Sequence, residues 1–163
     1  WLGINLLTAF LGAWVIGRFE DTIQQLVALA ILMPVVAGMG GIAGSQTLTI
    51  TIRGIALGHI AKTNIKPLLI KELSIGILNG IFWSSVVAII VIVWFGQFSL
   101  GIIIGASMII NLIIAALAGA TIPIILKHYG IDPAIAGGVI LTTVTDVVGF
   151  ITFLGLATIF LID

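Results

Sequence analysis

The chain has no cysteine and very little charge. Lack of cysteine excludes disulfides and thiolate metal ligands and leaves the redox compartment unreadable. Only 7% of the 163 residues are Asp, Glu, Lys or Arg, and the two signs cancel to a formal net charge of zero. A chain with no basic face has no footprint for nucleic acid, so no nucleic-acid partner is expected. Hydrophobic residues make up 61% of the sequence, and no water-soluble domain of this size could keep such a composition from aggregating. Also missing is the alternation of short barrel strands; the apolar runs last about twenty residues or more, which favours membrane-spanning helices.

What is present reads as an all-α integral membrane protein, a single transmembrane domain over 1–163 with no room for a soluble one. Five spans are expected, at about 2–17, 24–52, 73–95, 100–126 and 134–162. The joints are RFEDT, the longer RGIALGHIAKTNIKPLLIKE, GQFS and KHYGIDP. Pro67 and Pro133 fall near span entrances, where a missing N–H costs least. With a cytoplasmic N-terminus, Arg53, Lys62, Lys66, Lys71 and Lys127 lie inside and only Arg18 outside, which satisfies the positive-inside rule and puts the C-terminus outside. The lysines of the second joint read as topology anchors rather than a binding patch, and His59 and His128 as solvated joint residues. Trp1, Trp14, Phe19, Trp94, Phe95 and Phe98 fall near span ends as an aromatic belt; Trp83 does not and reads as packing. Trp1 follows no basic n-region, so the chain reads as part of something longer rather than as opening on a signal peptide.

One charge stands where charge is expensive. Asp146, in TTVTDVVGF, is roughly 18 Å along span five, near mid-bilayer, where an ionised aspartate costs several kcal/mol. No Lys or Arg lies within any span to pair with it, and the other acids, Glu72 among them, fall in joints or at the terminus. Ala134, Gly138, Thr142 and Asp146 recur every four residues, with Thr143 and Gly149 on the same side, a small and polar stripe fit for a wet cavity or a close helix interface. A protonated aspartate hydrogen-bonded inside a packed bundle is the structural reading of the same residue.

Span two carries PVVAGMGGIAGSQTLTIT, with Pro34 and a run of glycines through Gly44. Two readings stand side by side: backbone unwound between Pro34 and Gly44, offering freed carbonyls to a hydrated ion, or a GxxxG pair, Gly40 and Gly44, letting another helix approach. A loose GxGxxA match there has no preceding strand and does not indicate nucleotide binding. Asn5, Asn79 and Asn111, one each in spans one, three and four, read as interhelical hydrogen bonds rather than a site. A single carboxylate neutralises a divalent ion poorly, whereas two copies about a two-fold axis would set two around one path. Mg²⁺ suits such a site because it keeps its waters and takes one or two carboxylates. The lining has no cysteine or histidine for softer metals.

PVVAGMGGIAGSQTLTITIRGIALG, MIINLIIAALAGATIP and IDPAIAGGVILTTVTDVVGFITFLGLA together resemble the membrane domain of the MgtE magnesium transporter family. The resemblance covers essentially the whole chain. It implies a homodimer of five-span subunits in the cell membrane, the inner membrane where there are two, with a pore between protomers lined by spans two and five. Mg²⁺ would pass down its electrochemical gradient. It further implies hydrated Mg²⁺ bound by Asp146 and assisted by Gly138 and Thr142 in span five and by Gly38, Gly41 and Ser45 in span two. Cytoplasmic regulatory domains would precede Trp1. Many members carry asparagine where this chain has Ile42, and a different polar-turn pattern at Gly138 and Val139; losing the polar group at 42 removes one candidate contact to the ion's waters. The expected activity is transport, not enzymatic catalysis. A proton-coupled carrier in which Asp146 titrates, and a non-conducting structural subunit, are the rival functions.

Overall fold

The computed structural model describes residues 1–60 and 64–161, and their regular structure is entirely α-helical. Helix α1 (Leu2–Gly17) and the short α2 (Glu20–Gln25) precede four long helices, α3 (Ala28–Ala56), α4 (Ile65–Phe95), α5 (Phe98–His128) and α6 (Pro133–Leu161). These four are long and apolar enough to cross a membrane. At 1.5 Å per residue each measures about 44–46 Å, so each must tilt or project beyond a hydrocarbon layer of about 30 Å. Helix α1, 16 residues long, reaches only about 24 Å. The five expected spans are therefore four full-length ones and one shorter apolar helix.

Two boundaries differ from the sequence reading. The second span does not begin at Gln24: the backbone breaks at Leu26 (φ −136°, ψ 85°), leaving α2 as a separate piece docked on α6 through a 2.8 Å hydrogen bond between the Thr22 and Thr158 hydroxyls. The second joint is also shorter than expected, because α4 begins at Ile65 rather than Leu73. Pro67 lies in its first turn, where no N–H is needed, and the Leu, Ile, Lys and Glu that follow are helix formers. Of that joint's basic residues, Lys62 falls outside the described residues.

Glycine sets the turn between α4 and α5. Gly96 takes φ +68°, a left-handed conformation that ends α4 and lets α5 start two residues later. Asp132 opens α6: its carboxylate accepts a hydrogen bond from the Ala134 N–H at 2.9 Å, and Pro133 supplies the first helical residue.

Helix α5 is the hub, packed along α3, α4 and α6, with Leu100, Ile104, Met108 and Leu112 buried on its axis. Small residues let backbones close in, as expected where lipid supplies no hydrophobic drive for association. A Cβ on Gly76 would sit 3.0 Å from Ala116, and one on Gly119 2.6 Å from the Gly44 carbonyl. Close pairs also give direction: Val36 meets Gly149, Gly44 meets Leu141 and Leu48 meets Gly137, so α3 and α6 are antiparallel, whereas Gly12 meets Phe150 and α1 runs parallel to α6. The hairpin turns then bring Arg53, Lys66, Lys71 and Lys127 to one end of the bundle and Arg18 to the other.

Candidate ion-binding site

Asp146 lies beside the midpoint of the 29-residue α6, which stays helical throughout, so the stripe Gly138, Thr142, Asp146 is physically one face. Its carboxylate opens into a cavity of about 280 Å³ between α6 and α1, lined by Asn5, Thr8, Ala9, Thr142, Thr143 and Asp146. Its polar groups are hydroxyl, amide and carboxylate, interleaved with apolar surface such as Ala9, and no cationic side chain lines it. Asp146 has no hydrogen bond or ion pair among the described residues, so a half-buried carboxylate faces an oxygen-rich space without a partner.

The hydroxyls beside it are oriented. Thr142 donates to the Gly138 and Val139 carbonyls at 3.0 and 3.1 Å, and Thr143 donates to Val139 at 2.7 Å. With its proton spent on the helix, each hydroxyl turns lone pairs outward, ready to accept from the waters of a cation. Gly138 itself does not line this cavity; its carbonyl, about two turns before Asp146, accepts the Thr142 hydroxyl. Thr8 is likewise bonded to its own helix, to the Asn5 carbonyl at 3.0 Å.

The residues singled out in span two are arranged differently. Helix α3 is unbroken from Ala28 to Ala56 with Pro34 inside it, so the unwound segment is not present and no carbonyl ladder is freed through Gly44. A proline removes one N–H, and the flanking turns are held by packing on α5 and α6. Gly40 and Gly44 serve the close approach instead: a Cβ on Gly40 would lie 2.3 Å from the Asn111 amide nitrogen, and one on Gly44 2.9 Å from Leu141. Gly38 and Gly41 face open space, and the Ser45 hydroxyl donates to the Gly41 carbonyl at 2.7 Å. None of Gly38, Gly41 and Ser45 lines the Asp146 cavity. By the antiparallel register, however, Met39 stands at the height of Asp146, so Gly38 and Gly41 flank that level on the neighbouring helix.

The three asparagines part company. Asn111 makes the expected interhelical bond, donating to the Val36 carbonyl at 2.9 Å. Asn5 lies in the Asp146 cavity, and Asn79 lines another. Asn5 and Thr8 are the only polar side chains of α1 and stand three apart, a helical pair that could have flagged this face. The described residues hold no group of three or more His, Cys, Asp or Glu side chains. A cation would therefore meet one carboxylate per chain here.

An all-helical membrane protein with a polar, carboxylate-bearing cavity halfway along an apolar helix is the class that fold and site define. Residues 33–156 match the family model of MgtE, described as a divalent cation transporter, and the chain belongs to that family. It is 38% identical over 161 residues to the magnesium transporter MgtE of Bacillus subtilis (strain 168), covering 99% of this chain and 36% of that protein. Its identity to the magnesium transporter MgtE of Thermus thermophilus is 31% over 157 residues, covering 96% of this chain and 35% of that protein. The MgtE of Enterococcus faecalis is 29% identical over 161 residues. The chain spans about a third of the length of these relatives.

Proposed function

We propose that this chain is the conducting domain of a Mg²⁺ channel, a homodimer whose pore runs between protomers along α3 and α6, with hydrated Mg²⁺ held by Asp146. The observation that carries the reading is the unpartnered Asp146 carboxylate in its cavity with Asn5, Thr8, Thr142 and Thr143. Mg²⁺ gives up water reluctantly, so an oxygen-lined space with one carboxylate per chain matches an ion that arrives with its shell. Symmetry supplies the second negative charge.

Helix α3 supports the lining. Gly38, Ile42, Ser45 and Thr49 recur along one face, all at least partly exposed, and only Ile42 among them is bulky. A lipid-facing stripe has no need of glycine and hydroxyls; a helix bordering a second copy and a hydrated ion does. Thr142 and Ser45 contribute through hydroxyl lone pairs, and Gly38, Gly41 and Gly138, with open space where a Cβ would stand, leave room for the hydrated ion. Arg53, Lys66, Lys71 and Lys127 at one end of the bundle support a cytoplasmic placement of that end, with α1 as the fifth and shortest crossing. Regulatory domains upstream of Trp1, occupying the remaining length of the relatives, would act on this end.

The test is Mg²⁺ uptake into liposomes holding the full-length protein, wild type beside Asp146→Asn. Loss of the charge lowers uptake by about tenfold or more, since interactions with charged groups are worth roughly 1.5–3 kcal/mol. Uptake follows voltage and the Mg²⁺ gradient. Equal uptake by the two proteins would reduce the domain to a structural subunit, and flux that requires a pH gradient would make it a carrier.

A further inference from the structure

Asp146 is not the only carboxylate that these helices bury. Glu72, which sequence alone assigns to a joint, lies inside α4 and is 6% exposed. Its partners are few and distant: Thr47 Oγ1 donates to Oε2 at 3.3 Å, and Lys71 Nζ stands 3.7 Å from Oε1. Both contacts are long for a carboxylate, which accepts hydrogen bonds at about 2.7–2.9 Å when well paired and has room for about four. The lysine comes from the solvent side, its side chain 66% exposed, and such a pair contributes little.

The carboxylate borders a cavity of about 150 Å³ between α3, α4 and α5. Gln46, Thr47 and Asn79 supply polar groups to its wall, the Lys71 side chain also borders it, and Ile50, Ile75 and Leu112 line much of the rest. Neither Gln46 nor Asn79 has a hydrogen bond among the described residues. At about 30 Å³ per water molecule, the space holds a small ion with several waters. A buried carboxylate, a hydroxyl and two uncommitted amide oxygens form a hard-oxygen donor set. Nitrogen- or sulfur-preferring metals find nothing there.

We propose that Glu72, with Thr47, Gln46 and Asn79, forms a second divalent-cation site at the basic end of the bundle, for which the Lys71 ammonium is a resident competitor. When a cation enters, Lys71 swings into solvent at small cost, and the ion ties α3 to α4. The site stands on its own residues and does not depend on Asp146 carrying the transported ion.

The experiment titrates Mn²⁺, read by electron paramagnetic resonance, into the full-length protein in nanodiscs, in an Asp146→Asn background that removes the first site. Adding Glu72→Gln, which keeps the side chain's shape, lowers the number of bound Mn²⁺ by one per chain. Adding Lys71→Met instead tightens that same site by about two- to fivefold, the worth of an exposed ion pair. Unchanged stoichiometry with Glu72→Gln overturns the proposal. Unchanged or weaker affinity with Lys71→Met overturns it too, and this variant alters an exposed side chain, so it still decides if the Glu72 variant does not fold.

Discussion

Two adjacent glycines of α3 should respond in opposite ways to the same added methyl group. At Gly40 a Cβ would stand 2.3 Å from Nδ2 and 2.9 Å from Cγ of Asn111. Asn111 cannot simply turn away. It is 1% exposed, its amide nitrogen is also hemmed in by Gly149, and that nitrogen is committed to the Val36 carbonyl. Gly40→Ala must therefore push α3 off α5 or break that buried hydrogen bond, at about 1–3 kcal/mol for overpacking and a similar amount for an orphaned polar group. The helical gain of alanine over glycine returns about 1 kcal/mol, leaving a net loss of roughly 1–4 kcal/mol. At Gly41 nothing lies within 4 Å of the new Cβ, so Gly41→Ala keeps the gain of about 1 kcal/mol. Reversible unfolding in mixed micelles, followed by tryptophan fluorescence, measures both. Equal stability of the two variants, or a more stable Gly40→Ala, would refute the packing account of the glycine run. If α3 faces the pore as proposed, Gly41→Ala also lowers Mg²⁺ uptake while stabilising the fold, a split that a purely structural glycine would not produce.

Other expectations follow from single contacts. Asn5→Leu removes the amide facing Asp146 and should reduce Mg²⁺ uptake severalfold with little change in unfolding midpoint, because Asn5 is exposed in the monomer; unchanged uptake would take α1 out of the site. Asp132→Ala removes the side-chain cap of α6 and should cost about 1 kcal/mol in the same unfolding assay, with Asp132→Asn restoring most of it.

Much of the molecule was legible in the chain because the bilayer leaves few options. Long apolar runs must be helices, since backbone polar groups in hydrocarbon can be satisfied in few other ways. Asp146 stood out for the same reason: one carboxylate without a cation in any span is too costly to be incidental. Its turn-by-turn partner Thr142 followed from helical spacing alone, as did Pro133 at the head of α6.

Which faces meet was decided only by the tertiary structure. In water a helix advertises its buried side by an apolar stripe, but lipid tails are as apolar as a protein core, so lipid-facing and protein-facing residues read alike. For that reason nothing in the sequence set Asn5 and Thr8 opposite Asp146, turned Gly40 toward Asn111 while leaving Gly41 open, or carried Glu72 from a presumed joint into a cavity between three helices. The continuity of α3 through Pro34 belongs to the same class of fact. Local propensity marks the weak point, and packing against α5 and α6 keeps it helical.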